Sequence, residues 1–187
     1  SITRLLKVEI ISEIILVDDN STDSSYEIAQ EIESRNSKVK LVKTKLNLGK
    51  GNAVNTGAAF LDTDYMVVHD ADLEYFPDDI KEMYEISLLF PKSLILGSRV
   101  IGDKERKKLY YFTYLGNKLF AIIFSLLNNY KISDIASCYW LLELKSFRKL
   151  QIQEKGFAIE VEVLSKFLKS GQEIKEVPIK YEARSYE

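Results

Sequence analysis

With 187 residues, 46% of them hydrophobic and 29% charged, the chain is long enough to bury a substantial core and too apolar to remain disordered. The formal net charge of -2, from 26 Lys and Arg against 28 Asp and Glu, leaves no electrostatic footprint for nucleic acid, so an anionic ligand has to be met by a local cluster. The single cysteine, Cys138, excludes an internal disulfide framework and a multi-cysteine metal site, and the single histidine, His69, excludes a multi-histidine zinc site.

In chain order, Ile2, Leu5, Leu6 and Ile10 have helical spacing, and the run Ile14-Ile15-Leu16-Val17 reads as a buried strand. Asn20-Ser21-Thr22-Asp23 supplies turn and capping chemistry for a helix carrying Ile28, Ala29 and Ile32. A short strand over residues 39–43 follows. The turn Asn47-Leu48-Gly49-Lys50-Gly51 then opens a helix whose face holds Ala53, Val54, Gly57, Ala58 and Leu61. Residues 65–68 form the next strand, and Pro77-Asp78-Asp79 starts a helix running toward Phe90. Residues 93–97 return as a strand. This alternation predicts an α/β fold with a mainly parallel, doubly wound sheet flanked by helices.

After Arg99 the texture changes to a basic run at residues 104–108, followed by an aromatic and apolar amphipathic segment over residues 109–130. Its longest apolar stretch, residues 119–127, has about half the length needed to cross a bilayer, so it fits a membrane interface or an ordinary core-facing helix. Residues 138–144 read as a strand, 161–169 as a helix, and Ile174, Val177, Ile179 and Tyr181 as an edge strand that tolerates Pro178. With no repeat or linker, a single domain over residues 1–187 is the simplest organisation.

The strand at residues 65–68 leads into His69, Asp70, Asp72 and Glu74. Acids at the carboxyl end of such a strand lie where open α/β sheets bind ligands, and suit a divalent metal holding a phosphorylated ligand; a solvated acidic turn would look similar. Asp18 and Asp19 end the first strand on the same predicted edge, where they could contact a ribose or base, or simply cap a helix. The Gly49-Lys50-Gly51 turn fails as a P-loop, because residue 44 is Thr and Lys50 precedes Gly51, yet it could still offer N–H groups and a lysine to an anion. Arg99 ends a strand near the same edge and could pair with a phosphate, while Asp134 in the loop after residue 130 reads as a base, an acceptor contact or a plain turn residue. His69 reads as a satisfied core histidine.

Taken together, Val17-Asp18-Asp19-Asn20-Ser21-Thr22-Asp23, Asn47-Leu48-Gly49-Lys50-Gly51-Asn52-Ala53, Asp70-Ala71-Asp72-Leu73-Glu74, Gly97-Ser98-Arg99, Ser133-Asp134 and Glu176-Val177-Pro178-Ile179 with Arg184-Ser185-Tyr186 resemble the family-two glycosyltransferases of the GT-A fold. The resemblance is to the branch like dolichyl-phosphate mannosyltransferase and the polyprenyl-phosphate glycosyltransferases. It implies a GT-A, Rossmann-like domain with a C-terminal antiparallel strand, transferring a hexose with inversion from GDP-mannose or UDP-glucose to a polyprenyl monophosphate at the cytoplasmic face of a membrane. By the same resemblance Asp18, Asp19, Lys50 and Asp70 would contact the nucleotide sugar, Asp72 and Glu74 a Mg or Mn ion, Arg99 the acceptor phosphate, and Asp134 would be a catalytic candidate. A lipid phosphate is already an anion, which weakens the need for a base. The family's first strand, with its Pro-x-Tyr-Asn-Glu-like motif, has no match before Ser12, so the chain reads as truncated at both ends, and Trp140 stands where relatives commonly have a basic residue. A phospho-receiver domain and a catalytically inactive nucleotide-sugar-binding module are the alternatives.

Overall fold

The computed structural model describes residues 1–102, 106–107 and 111–183. The chain opens with a single helical turn, α1 (Ile2–Leu5), then β1 (Ile14–Asp18), α2 (Ser25–Arg35), β2 (Val39–Lys43), α3 (Lys50–Phe60) and β3 (Tyr65–Val67). There follow α4 (Asp79–Leu89), β4 (Leu94–Ser98), β5 (Arg106–Lys107), α5 (Tyr111–Asn128), β6 (Trp140–Glu143), α6 (Leu144–Leu150), α7 (Ile159–Lys169), β7 (Ile174–Pro178) and β8 (Tyr181–Glu182). The helix expected across residues 2–10 closes after one turn, because Leu5 and Val8 turn inward and are anchored by local backbone hydrogen bonds. Helix α6 was not foreseen: its seven residues continue directly from the strand before them.

The sheet is more mixed than the expected parallel one. Strands β1 and β2 pair in parallel, while the larger sheet runs β3-β6-β4-β7, with β6 antiparallel to both neighbours and β7 parallel to β4. Thus the antiparallel strand is the inner β6, while β7 occupies the edge and carries Pro178 at its end. The pleat sends alternate residues to two cores. Met66, Leu94, Leu96, Trp140 and Leu142 meet Phe124, Phe147, Val163 and Phe167 on one face. Ile95, Tyr139, Leu141 and Val177 meet Ile80 and Met83 on the other. Trp140 is fully buried and stacked on Phe147 at 5.7 Å, so here it serves the core.

Strands β1 and β3 do not pair with each other. Both line a cavity of about 640 Å³, whose wall includes Ile15, Val17, Gly57, Tyr65, Val67 and Ile80. The ladder bonds of β1 use Ile14 and Asp18, and those of β3 use Asp64 and Val68, so by the pleat the backbones of Ile15, Val17, Tyr65 and Val67 face the cavity. A further strand entering there would satisfy both edges.

Candidate active site

The first strand end is tied to the turn before α3. Asp19 accepts hydrogen bonds from the Leu48 and Gly49 N–H groups at 3.0 and 2.6 Å and from the Thr44 hydroxyl at 2.9 Å, while Asp18, 7% exposed, accepts the Ser21 N–H. Asp23 accepts the N–H of Ser25 at the start of α2 from one position before the N-cap residue, Ser24. Gly49 has φ 99°, a conformation that a side chain would strain. Gly51 lies against residues 154–155, where a Cβ would fall 2.2 Å from the Glu154 carbonyl oxygen.

The N–H groups of Gly51 and Asn52 donate to the carbonyls of Gly156 and Lys155. The start of α3 is therefore closed by residues 153–156 and does not offer those donors to an anion, which corrects one expectation for this turn. What it does present is Lys50. Its ammonium lies 2.9 Å from Asp70 Oδ2 and 2.6 Å from Glu160 Oε1. Burial opposes its charge, but the negative groups around it, Asp70 and Glu160 among them, hold it above the usual lysine range.

Asp70, Asp72 and Glu74 follow β3 on an open loop, all partly exposed. Asp72 Oδ1 accepts the Glu74 N–H at 3.0 Å, and Glu74 Oε2 accepts the Tyr181 hydroxyl at 2.6 Å. Burial first, then Glu74, push the Tyr181 phenol up to about 12. Tyr181 also lies beneath Arg99, whose guanidinium carbon is 5.0 Å from the ring centroid. One tyrosine thus joins the acidic loop to the arginine.

Arg99 and Asp134 are placed differently from the sequence reading. Asp134 is wholly buried and accepts three bonds from Arg99, so it faces its partner and not an open site, and Arg99 is itself only 7% exposed. A guanidinium on a strand end cannot be buried unpaired, and the loop after Ile132 supplies the carboxylate. Glu176 on β7 holds that loop by accepting the N–H groups of Ser133 and Asp134 and the Ser133 hydroxyl. His69 is hydrogen-bonded to Ser1 and Tyr139, as expected, but it is half-buried at the cavity wall and not part of the core.

Sequence reasoning missed Glu160, Tyr181 as a bridge, and Glu176 as an anchor. An acid directly after Ile159, three and four positions before Val163 and Leu164 on the same helix face, was the available signal for Glu160. Among the described residues no three His, Cys, Asp or Glu side chains converge as a ready metal cage. The carboxylates of Asp72 and Glu74 are nonetheless hard oxygen donors of the kind Mg and Mn accept alongside ligand phosphates.

On α5, Leu115, Leu119, Phe120, Ile123, Leu126 and Leu127 are exposed, whereas Ala121 and Phe124 face the core. No described helix is long and apolar enough to cross a membrane. Of the basic run, Lys104 and Lys108 lie outside the described residues, as do Tyr110 and the Arg184-Ser185-Tyr186 motif; the backbone of β5 pairs in parallel with β8.

The chain, an α/β sheet whose strand ends carry these acids with a lysine held against them, has the GT-A glycosyltransferase fold, as its likeness to solved structures shows. Glucosyl-3-phosphoglycerate synthase from Mycobacterium tuberculosis, crystallised with uridine diphosphate, shares it with a TM-score of 0.59 at 18% identity, over 92% of this chain and 60% of that one. Residues 1–151 match the family described as Glycosyl transferase family 2, and the chain belongs to that family, which displaces the phospho-receiver alternative. The chain is 32% identical to the UDP-N-acetylglucosamine–dolichyl-phosphate N-acetylglucosaminyltransferase of Methanococcus voltae, over 89% of this chain and 73% of that protein. It is 30% identical to the dolichol-phosphate mannosyltransferase of Pyrococcus furiosus, over 92% of this chain but 49% of that protein.

Proposed function

We propose that this chain carries the donor site of an enzyme that transfers a sugar from a nucleotide sugar to a polyprenyl or dolichyl monophosphate, with a divalent metal and with inversion. The observation that carries the reading is the loop after β3, where Asp70, Asp72 and Glu74 are held between Lys50 and Tyr181 on the rim of a family-two fold. The relatives named for dolichyl and dolichol phosphate support the acceptor class.

Asp72 and Glu74 would hold a Mg or Mn ion, which when bound neutralises the leaving nucleoside diphosphate. Asp70, fixed by Lys50, contacts the nucleotide sugar. Asp18 and Asp19 shape the nucleoside side of the rim, Asp19 by locking the turn at residues 44–49. An oxygen of the lipid phosphate attacks the anomeric carbon from the face opposite the departing diphosphate, so the sugar–diphosphate bond breaks as the new bond forms and the configuration inverts. The nucleophile is already an anion, and no side chain has to remove a proton. Arg99, neutralised by Asp134, supports the wall beneath this rim. The exposed face of α5 rests on the membrane that holds the acceptor, with the protein on its cytoplasmic side.

The test is a panel of labelled GDP-mannose, UDP-glucose and UDP-N-acetylglucosamine incubated with polyprenyl phosphate vesicles and Mn²⁺. One donor is expected to label the lipid, with the anomeric configuration inverted by NMR. Donor binding without lipid labelling would favour a binding module instead, and a retained configuration would overturn the displacement.

A further inference from the structure

We infer that Glu160 is a positioning residue for the donor end of the site, acting on Asp70 through Lys50; this rests on the proposed reading of Asp70 as a donor contact. Glu160 stands in the first turn of α7 and is 6% exposed, next to Ile159 and near Val163 and Leu164 of the core. Hydrophobic packing does not place a carboxylate there, and leaving one buried without a partner is costly.

Its partner is the Lys50 ammonium, shared with Asp70. The side chains form a graded series, 7% exposed at Glu160, 15% at Lys50 and 34% at Asp70. The inner carboxylate therefore fixes the cation, and the cation fixes the outer carboxylate by its Oδ2. Because Glu160 takes part of the lysine's charge, Asp70 is oriented without being fully neutralised.

The backbone just after Lys50, at Gly51 and Asn52, is held from the same helix. Glu162 accepts the N–H groups of Gln153 and Glu154 at 3.1 and 2.7 Å, and the segment so tethered accepts the N–H groups of Gly51 and Asn52. Both the Lys50 ammonium and the main chain that follows it are thus set by α7.

The test is calorimetric titration of UDP-N-acetylglucosamine and GDP-mannose, each with Mn²⁺, into the whole chain and its variants, with unfolding temperatures measured alongside. Glu160→Gln keeps the shape and removes the charge, and it raises the donor Kd about tenfold, as does Lys50→Met. The double variant binds no more weakly than Lys50→Met alone, since both break one link, and it unfolds at a higher temperature than Lys50→Met because no unpaired carboxylate is left buried. Additive losses, or an unchanged Kd in folded Glu160→Gln, would overturn the inference. If Glu160→Gln does not fold, the cycle of Lys50→Met and Asp70→Asn takes its place, and independent effects of those two would overturn it. Asp70→Asn separates the two levels: no effect there defeats the donor-site reading and this inference with it, whereas an effect there but none from Glu160→Gln defeats this inference alone.

Discussion

Asp134 grips Arg99 at three points, accepting the backbone N–H at 2.9 Å, Nε at 2.8 Å and Nη2 at 2.8 Å, with its own side chain wholly buried. A pair of this kind stabilises mainly by avoiding an uncompensated charge. Removing either partner, as in Asp134→Ala or Arg99→Ala, is expected to cost about 3–5 kcal/mol in urea unfolding, while replacing both by apolar residues recovers most of it. A loss below about 1 kcal/mol in the single variants would show that water reaches the pair.

A second prediction concerns acid. Burial holds the His69 imidazole down at about 4, against an ordinary value of 6.5, so the folded protein leaves it neutral where the unfolded chain takes up a proton. Stability from this group is complete above pH 6.5, falls as pH drops toward 4 and is flat below, a change of about 3 kcal/mol. Comparing urea midpoints of the wild type and His69→Asn between pH 7 and 4 checks it. Parallel curves would contradict the assignment.

On α5, Phe120 is 60% exposed and Leu126 and Leu127 are 78% and 81% exposed, while Phe124 is 4% exposed. Replacing the three outward residues by serine is expected to lower binding to anionic vesicles at least about tenfold with the unfolding midpoint nearly unchanged. Phe124→Ser should instead destabilise the fold by about 3–5 kcal/mol. Equal vesicle binding by the outward variant would remove the membrane from the proposal.

The strand edges at the cavity give a fourth prediction. Amides of Ile15, Val17, Tyr65 and Val67 face it, whereas Leu16 and Met66 point into paired ladders. Hydrogen exchange should therefore alternate along β1 and β3, fast at the first four and slow at the other two. Uniform protection would mean that the two edges meet in solution.

The strands and their acidic ends were legible because each is a local pattern: an apolar run, then acids that cannot follow it into the core. The helix face of Ala53, Gly57 and Ala58 was legible for the same reason. Pairing order was not, since the inner position of β6 depends on which apolar run reaches the core between β3 and β4, and Trp140 and Leu142 suit either direction. The site's supports were hidden for a related reason: Glu160 lies 110 positions beyond Lys50, Tyr181 107 beyond Glu74, and Asp134 35 beyond Arg99. Each contact exists only once the sheet has brought distant segments together. Position alone therefore left Asp134 open as a base, an acceptor contact or a turn residue, and burial made it the partner of Arg99.

The most direct measurement is lipid labelling from the preferred nucleotide sugar by the wild type and by folded Asp72→Asn, each with Mn²⁺ and with EDTA. The proposal predicts labelling that requires the metal and falls at least about a hundredfold in Asp72→Asn, the scale expected when charge on a departing group goes unbalanced. Undiminished transfer in EDTA, or by Asp72→Asn, would contradict it.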